Sequence, residues 1–307
     1  MRTAFIEALC LAAQLDDRIW LLTADLGYSV LEIFAQRFPR RYLNVGVAEQ
    51  NMAGIAAGLA HSGKLPVIYS IANFPTFRCL EQLRNDICHQ QANVKIVAVG
   101  GGYAYGPQGH SHHAIEDLAV MRALPGMTVV APADPVEARL ATGAICAHAG
   151  PCYLRLGKAR EPVLHVAPPA FELGRAIQVR SGRALTLIST GGMLQKTLAV
   201  AERLAAEGSA PRVLSMHTIK PLDEQAVLRA AAETGGIISV EEHSVTGGLG
   251  SAIADVMALG GCRVGFFRKF GIPDQVNHEV GTQEHLLGQC GDLYRLATTA
   301  VSQSRAA

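Results

Sequence analysis

Residues 44–60 read NVGVAEQNMAGIAAGLA. A short strand here runs to Val47 and into a helix, with one acidic residue, Glu49, at the junction. From Met52 onward the segment is built almost only of Ala, Gly, Ile and Leu. A helix that is apolar on every side is expected to be buried. Its glycines weaken it but let another backbone come close. No Lys or Arg lies within one helical turn after Glu49, and its neighbours are small and apolar. Strand-to-helix junctions are also where α/β folds place ligands. Glu49 is therefore either a carboxylate favoured by the helix dipole or a group that faces a ligand. An ion-pair role is not expected.

The same alternation of strand and helix extends in both directions. Buried-strand patterns occupy Ile19–Ala24, Pro66–Ile71, Val94–Val99, Met127–Val130 and Cys152–Leu156. Helical spacing covers Thr3–Gln14, a segment ending at Arg37, Phe77–Gln91, Ile115–Arg122 and Pro135–Ala149. This pattern predicts an α/β fold with a doubly wound, mostly parallel sheet. Residues 161–176 carry Pro162, Pro168 and Pro169 and no clear period, which marks a linker. Strand and helix patterns then resume, with strands at Leu185–Ser189, Arg212–Met216 and Gly236–Val240. Helices are expected at Met193–Glu207, at Glu224–Glu233 and after GGLGSA. The expected division is a first domain over 1–165, a linker over 166–180 and a second, smaller α/β domain over 181–307.

Composition excludes several classes of function. With 307 residues, 49% hydrophobic, the chain can bury two cores. Lys plus Arg number 27 against 26 Asp plus Glu, for a net charge of +1 without a basic run, so no nucleic-acid partner is expected. Seven scattered cysteines, never in CxxC spacing, suit reduced thiols in a cytoplasmic protein. The N-terminus reads as a helix of the fold rather than a signal peptide, and no apolar run is long enough for a membrane span.

Four further segments carry chemistry. Asn73–Arg78 (NFPTFR) offers two aromatics, Phe74 and Phe77, that could wall a flat ring or simply fill the core. Gly106–Leu118 (GPQGHSHHAIEDL) holds an HxHH cluster. A metal site there would need further ligands, and Glu116 and Asp117 fit a helix surface better. Ala24–Ser29 (ADLGYS) places Asp25 and Ser29 in a loop after the first strand. Arg155, in CYLRLGK, ends a predicted strand, where its fork suits a phosphate or carboxylate.

Together these segments resemble the transketolase family, and the likeness covers essentially the whole chain. The AEQNM run is similar to the family's pyrimidine-binding segment. By that resemblance Glu49 hydrogen-bonds N1′ of the aminopyrimidine of thiamine diphosphate. It then favours the imino tautomer that removes the proton from C2. Phe77, with Phe74 as second choice, stacks on the pyrimidine ring. The loop 106–118 is similar to the family's GEDGPTHQ run, with His112 over the reacting carbon and Gln108 where an Asp is usual. The resemblance implies that Asp25 lies near the cofactor, and that Ser29 and Arg155 contact a substrate phosphate. A His that the family commonly carries some eight residues before that run is replaced by glycine near Gly100 and Gly101. The run of Glu241, Glu242, His243 and GGLGSA is similar to a packing element of the family's C-terminal domain.

The family holds Mg²⁺ and the diphosphate through a GDG run and a later Asn, and no GDG occurs here. The resemblance thus implies the C-terminal half of a split transketolase. Its partner is an N-terminal subunit that holds Mg²⁺, the assembly is an α2β2 heterotetramer with a self-dimer inside it, and the substrate is a sugar phosphate. The alternatives are the beta subunit of a 2-oxo acid dehydrogenase, a half similar to 1-deoxyxylulose-5-phosphate synthase, and a non-catalytic subunit.

Overall fold

The computed structural model describes residues 1–262 and 264–306, the last four by backbone alone. The first half runs α1 (Arg2–Leu15), β1 (Ile19–Thr23), α2 (Glu32–Arg37), β2 (Tyr42–Asn44), α3 (Glu49–His61), β3 (Leu65–Ile71), α4 (Leu80–Gln82) and β4 (Lys95–Val99). It continues with α5 (Asp117–Ala123), β5 (Thr128–Val130), α6 (Pro135–Ala147) and β6 (Cys152–Leu156). Residues 157–176 contain no helix or strand. The second half runs β7 (Ile177–Arg180), β8 (Thr186–Ser189), α7 (Met193–Ala206), β9 (Arg212–Ser215), β10 (Thr218–Lys220), α8 (Glu224–Glu233) and β11 (Ile237–Ser244). It ends with α9 (Leu249–Leu259), β12 (Phe267–Ile272), α10 (Gln283–Leu287) and α11 (Leu293–Ala306).

Two sheets result. The first has the order β10-β5-β6-β4-β3-β1-β2, parallel except for β10. The second has the order β12-β11-β8-β9-β7, parallel except for β7. The central strands β3, β4 and β6 are buried almost throughout because helices cover both faces of the sheet. One face packs Met52, Ala53 and Ala56 of α3 with Ile68, Ile96 and Val129. The other packs Phe5 and Leu9 of α1 and Ala138 of α6 with Val67, Val97 and Leu154. This is the doubly wound arrangement expected from the sequence.

Three local expectations change. Strand β2 ends at Asn44, so 45–48 is a loop, with Gly46 at φ +74°. Helix α3 is buried on one side only. Gln50, Asn51, Gly54, Gly58 and His61 are exposed, and a Cβ built on Gly54 or Gly58 would touch nothing within 4 Å. Small size alone does not bury a residue, because only the Met52–Ala53–Ala56 stripe has a sheet to face. The expected helix over 77–91 instead starts as a π-helical turn at Phe74–Arg78, passes through α4, and closes as a second π turn at Leu83–Cys88. Such wide turns recur at functional sites.

The second sheet stacks α7 and α11 on one face and α8 and α9 on the other. The Glu241–Glu242–His243 segment in β11 joins the two halves. Glu241 accepts the backbone N–H groups of Leu249 and Gly250 and so caps α9, while burial pushes its carboxyl up to about 7. Glu242 accepts from Tyr103 N–H of the first half and from Gln283. His243 Nε2 accepts from Ala119 N–H. All seven cysteines are free thiols, and among the described residues no helix is long and apolar enough to cross a membrane.

Candidate active site

Every residue singled out in the first half lies at or just beyond the carboxyl end of a parallel strand, where doubly wound sheets place their ligands. Asp25 follows β1, Glu49 follows β2, Phe74 follows β3, the Gly100–His112 loop follows β4, and Arg155 stands near the end of β6.

Glu49 is the first residue of α3 and is only 5% exposed. It does form an ion pair, contrary to the sequence expectation. Arg78 Nη1 lies 3.2 Å from Glu49 Oε2. The partner comes from the π turn after β3, so proximity along the chain could not reveal it. The same guanidinium lies 4.0 Å from the centre of the Phe74 ring. That ring meets His112 edge-on at 5.2 Å between centres. Glu49, Arg78, Phe74 and His112 thus form one continuous surface. Phe77, the first choice from sequence, is 39% exposed, and Phe74, the second choice, is the ring that meets Arg78 and His112. The wide π turn is what brings Phe74 and Arg78 to the same side.

His112 is half-buried, with Nδ1 3.0 Å from Ser111 Oγ. The loop beneath it is tied down where Asn73 Nδ2 donates to the Ser111 carbonyl. Burial, then the nearby Arg78 charge, lowers the His112 pKa, so the ring is neutral at neutral pH and carries one proton to share. The three histidines of the HxHH run diverge. His110 is exposed, while His113 is buried edge-on against Tyr103 and donates from Nε2 to the Gly106 carbonyl when that nitrogen is protonated. Among the described residues, no three His, Cys, Asp or Glu gather as a metal centre. Gln108 is exposed in the turn before His110.

Tyr105 is a site neighbour that the sequence did not suggest. Its ring is 6.1 Å from His112, and Lys158 Nζ lies 4.3 Å from its centre. Tyr105 and Arg155 fill the space beside Gly100 and Gly101. A Cβ on Gly100 would collide with the Tyr105 ring, and one on Gly101 would collide with Arg155 Nε. Both spaces are already filled.

Asp25 and Ser29 lie in the loop between β1 and α2. Asp25, at φ +56°, accepts from Tyr28 Oη at 2.8 Å and Asn44 Nδ2 at 3.2 Å. These bonds, that of Tyr28 foremost, lower its pKa, and the bond to Asn44 fastens the loop that leads to Glu49. Ser29, at φ +62°, is exposed, and its N–H donates to Glu32.

Arg155 departs most from expectation. It is only 6% exposed, not offered at a strand edge. Its Nε and Nη2 reach the two oxygens of Asp117 at 2.9 and 3.1 Å. Its Nη2 also donates to the carbonyls of Ala114 and of Glu242 in the second half. Asp117, expected on a helix surface, is fully buried and also accepts from Tyr153 Oη at 2.7 Å. Two nitrogens of the fork are engaged by a carboxylate and carbonyls of the chain itself, so Arg155 ties the two halves together. Arg155→Ala should strand a buried Asp117 charge and lower stability by about 3–5 kcal/mol. A fall in the denaturant midpoint measures this. Unchanged stability with a KM rise confined to phosphorylated substrates would favour the anchoring role.

Comparison with known proteins bears on the chain as a whole. The transketolase pyrimidine-binding domain matches residues 1–162, and the transketolase C-terminal domain matches residues 174–289. The chain is 40% identical over 294 residues to the 6-deoxy-6-sulfo-D-fructose transketolase subunit SqwH of Clostridium sp. strain MSTE9, covering 95% of this chain and 90% of that one. It is 39% identical over 276 residues to an apulose-4-phosphate transketolase subunit of Phocaeicola vulgatus, covering 89% and 88%. A solved split-gene transketolase, described as an inactive beta4 tetramer, superposes with a TM-score of 0.89 at 38% identity, covering 99% of this chain and 98% of that one. Two domain matches that span most of the chain, and relatives aligned over nearly their full length, place the chain in the transketolase family, as its pyrimidine-binding and C-terminal domains.

Proposed function

We propose that this chain is the subunit of a two-chain transketolase that presents the pyrimidine-binding wall, with a partner subunit supplying the site for the diphosphate and Mg²⁺. The reaction is transfer of a two-carbon ketol unit from a ketose phosphate to an aldehyde. One observation carries the reading. A buried carboxylate at the start of α3, an aromatic face and a neutral histidine form one surface at the carboxyl edge of the sheet. What already occupies that surface supports a fit to thiamine diphosphate. A flat, nitrogen-rich group, the Arg78 guanidinium, lies on Phe74 and bonds Glu49. An aminopyrimidine ring makes the same two kinds of contact.

In this reading Phe74 supplies the stacking wall. Glu49 holds and exchanges a proton at N1′ of the pyrimidine. His112, held through Nδ1 by Ser111, turns Nε2 to substrate oxygens. When bound, thiamine diphosphate supplies the carbon nucleophile of the reaction. The exposed Gly54–Gly58 stripe of α3 leaves room for a second backbone, which supports a self-dimer inside an α2β2 assembly. The relative solved as a beta4 tetramer is a beta chain that self-associates.

The test is a substrate panel on the reconstituted pair with Mg²⁺ and thiamine diphosphate. Ketol transfer from a ketose phosphate to an aldehyde is the expected result. Decarboxylation of a 2-oxo acid without ketol transfer would move the chain to the 2-oxo acid dehydrogenase class.

A further inference from the structure

We propose that Arg78 is a built-in placeholder. It holds the pyrimidine site closed in the unliganded chain and must swing away before the cofactor ring can enter. The inference rests on the pyrimidine-binding reading of Glu49 and Phe74. Its own observation is the double engagement of one side chain. Arg78 Nη1 pairs with Glu49 Oε2 at 3.2 Å, and its guanidinium carbon sits 4.0 Å over the Phe74 ring. A ring stacked on that face of Phe74 and bonded to Glu49 would occupy the same volume. Both arrangements cannot exist at once.

The chemistry of the plug suits this role. Arginine is planar, stacks on aromatic rings and pairs with carboxylates, so it satisfies both surfaces that a pyrimidine would. With Arg78 present, a buried acid and an open aromatic face are not left bare in the unliganded chain. Neither contact is strong enough to lock the site. The Arg78 side chain is 51% exposed, and ion pairs with a half-exposed partner are weak. Its root is in the π turn Phe74–Arg78, so the stacking partner and the plug share one turn of chain. Release needs only side-chain rotation toward solvent.

The experiment reads binding rather than turnover. The full-length chain alone is titrated with 4-amino-5-hydroxymethyl-2-methylpyrimidine, the free ring without the diphosphate, by calorimetry or ligand-observed NMR. Arg78→Ala should bind this ring about tenfold more tightly than the unsubstituted chain, the sum of a surface cation–π contact and a weak ion pair no longer displaced. Arg78→Lys, which keeps the charge but loses the flat face, should fall between them. Glu49→Gln in the Arg78→Ala background should lose the gain. Equal binding by the unsubstituted and Arg78→Ala chains overturns the placeholder, as does weaker binding by Arg78→Ala. A parallel titration of the reconstituted pairs with thiamine diphosphate and Mg²⁺ separates the two readings. Failure of the unsubstituted pair to bind strikes the split-transketolase reading, whereas equal affinity of the two pairs strikes the placeholder.

Discussion

Glu49→Gln, assembled with the partner subunit, should keep the fold and lose about 10²- to 10⁴-fold in ketol-transfer turnover, the usual worth of a positioned acid–base group. The substitution is nearly isosteric. An amide can still hydrogen-bond a ring nitrogen, but it cannot take up and return a proton there. The side chain is 5% exposed at the first turn of α3, in a loop fastened by Asn44 and Asp25, so its position does not depend on its charge alone. Two smaller losses accompany the change. The carboxylate no longer complements the helix N-terminus, worth about 0.3–1 kcal/mol, and the pair with half-exposed Arg78 is removed. Both act on stability and are small beside the expected rate effect. Turnover and the thermal midpoint, measured on one preparation, therefore separate the proton role from the dipole role. Near-normal turnover would take Glu49 out of the chemistry.

The chain on its own should show no ketol transfer and should bind thiamine diphosphate weakly or not at all. The diphosphate carries most of the cofactor's anionic charge, and Mg²⁺ needs oxygen ligands, usually carboxylates, to be retained beside it. Among the described residues no His, Cys, Asp or Glu cluster could hold that ion. The cations nearest the candidate surface are already engaged. Arg78 is on Glu49, Lys158 is over Tyr105, and Arg155 is on Asp117. What remains is a wall for a ring and one acid, which can activate a cofactor but hold it poorly. Assay of the purified chain with and without the partner subunit, in Mg²⁺ and thiamine diphosphate, decides the matter. Full activity without the partner would end the two-chain reading.

Local pattern carried much of the fold. Strand β6 and helix α8 lie where their hydrophobic spacing put them, at Cys152–Leu156 and Glu224–Glu233. Strand β10 did not announce itself. It is three residues long, and only its pairing with Val129 and Val130 makes it a strand. The site was legible to the same extent. Glu49 and His112 came from motifs within one loop or one helix start. Arg78 stands 29 positions from Glu49, and Asp117 stands 38 from Arg155. Pairings across such distances are made by tertiary structure, which periodicity does not encode. The π-helical register that sets Phe74 beside Arg78 is likewise invisible to a helical wheel drawn at ordinary pitch.

Strand β10 also has a bearing on how the molecule is assembled during synthesis. It belongs by sequence to the second half, yet it completes the first sheet by running antiparallel beside β5. Until Lys220 has emerged from the ribosome, β5 presents a bare edge with unpaired backbone groups, the kind of edge on which chains stick to one another. The first sheet is therefore complete only once the linker and the opening strands of the second half have been made. A gene fragment cut in the linker would yield a product with that edge permanently open. Expressed alone, such a fragment is a candidate for inclusion bodies rather than for crystals, whatever the quality of its own core.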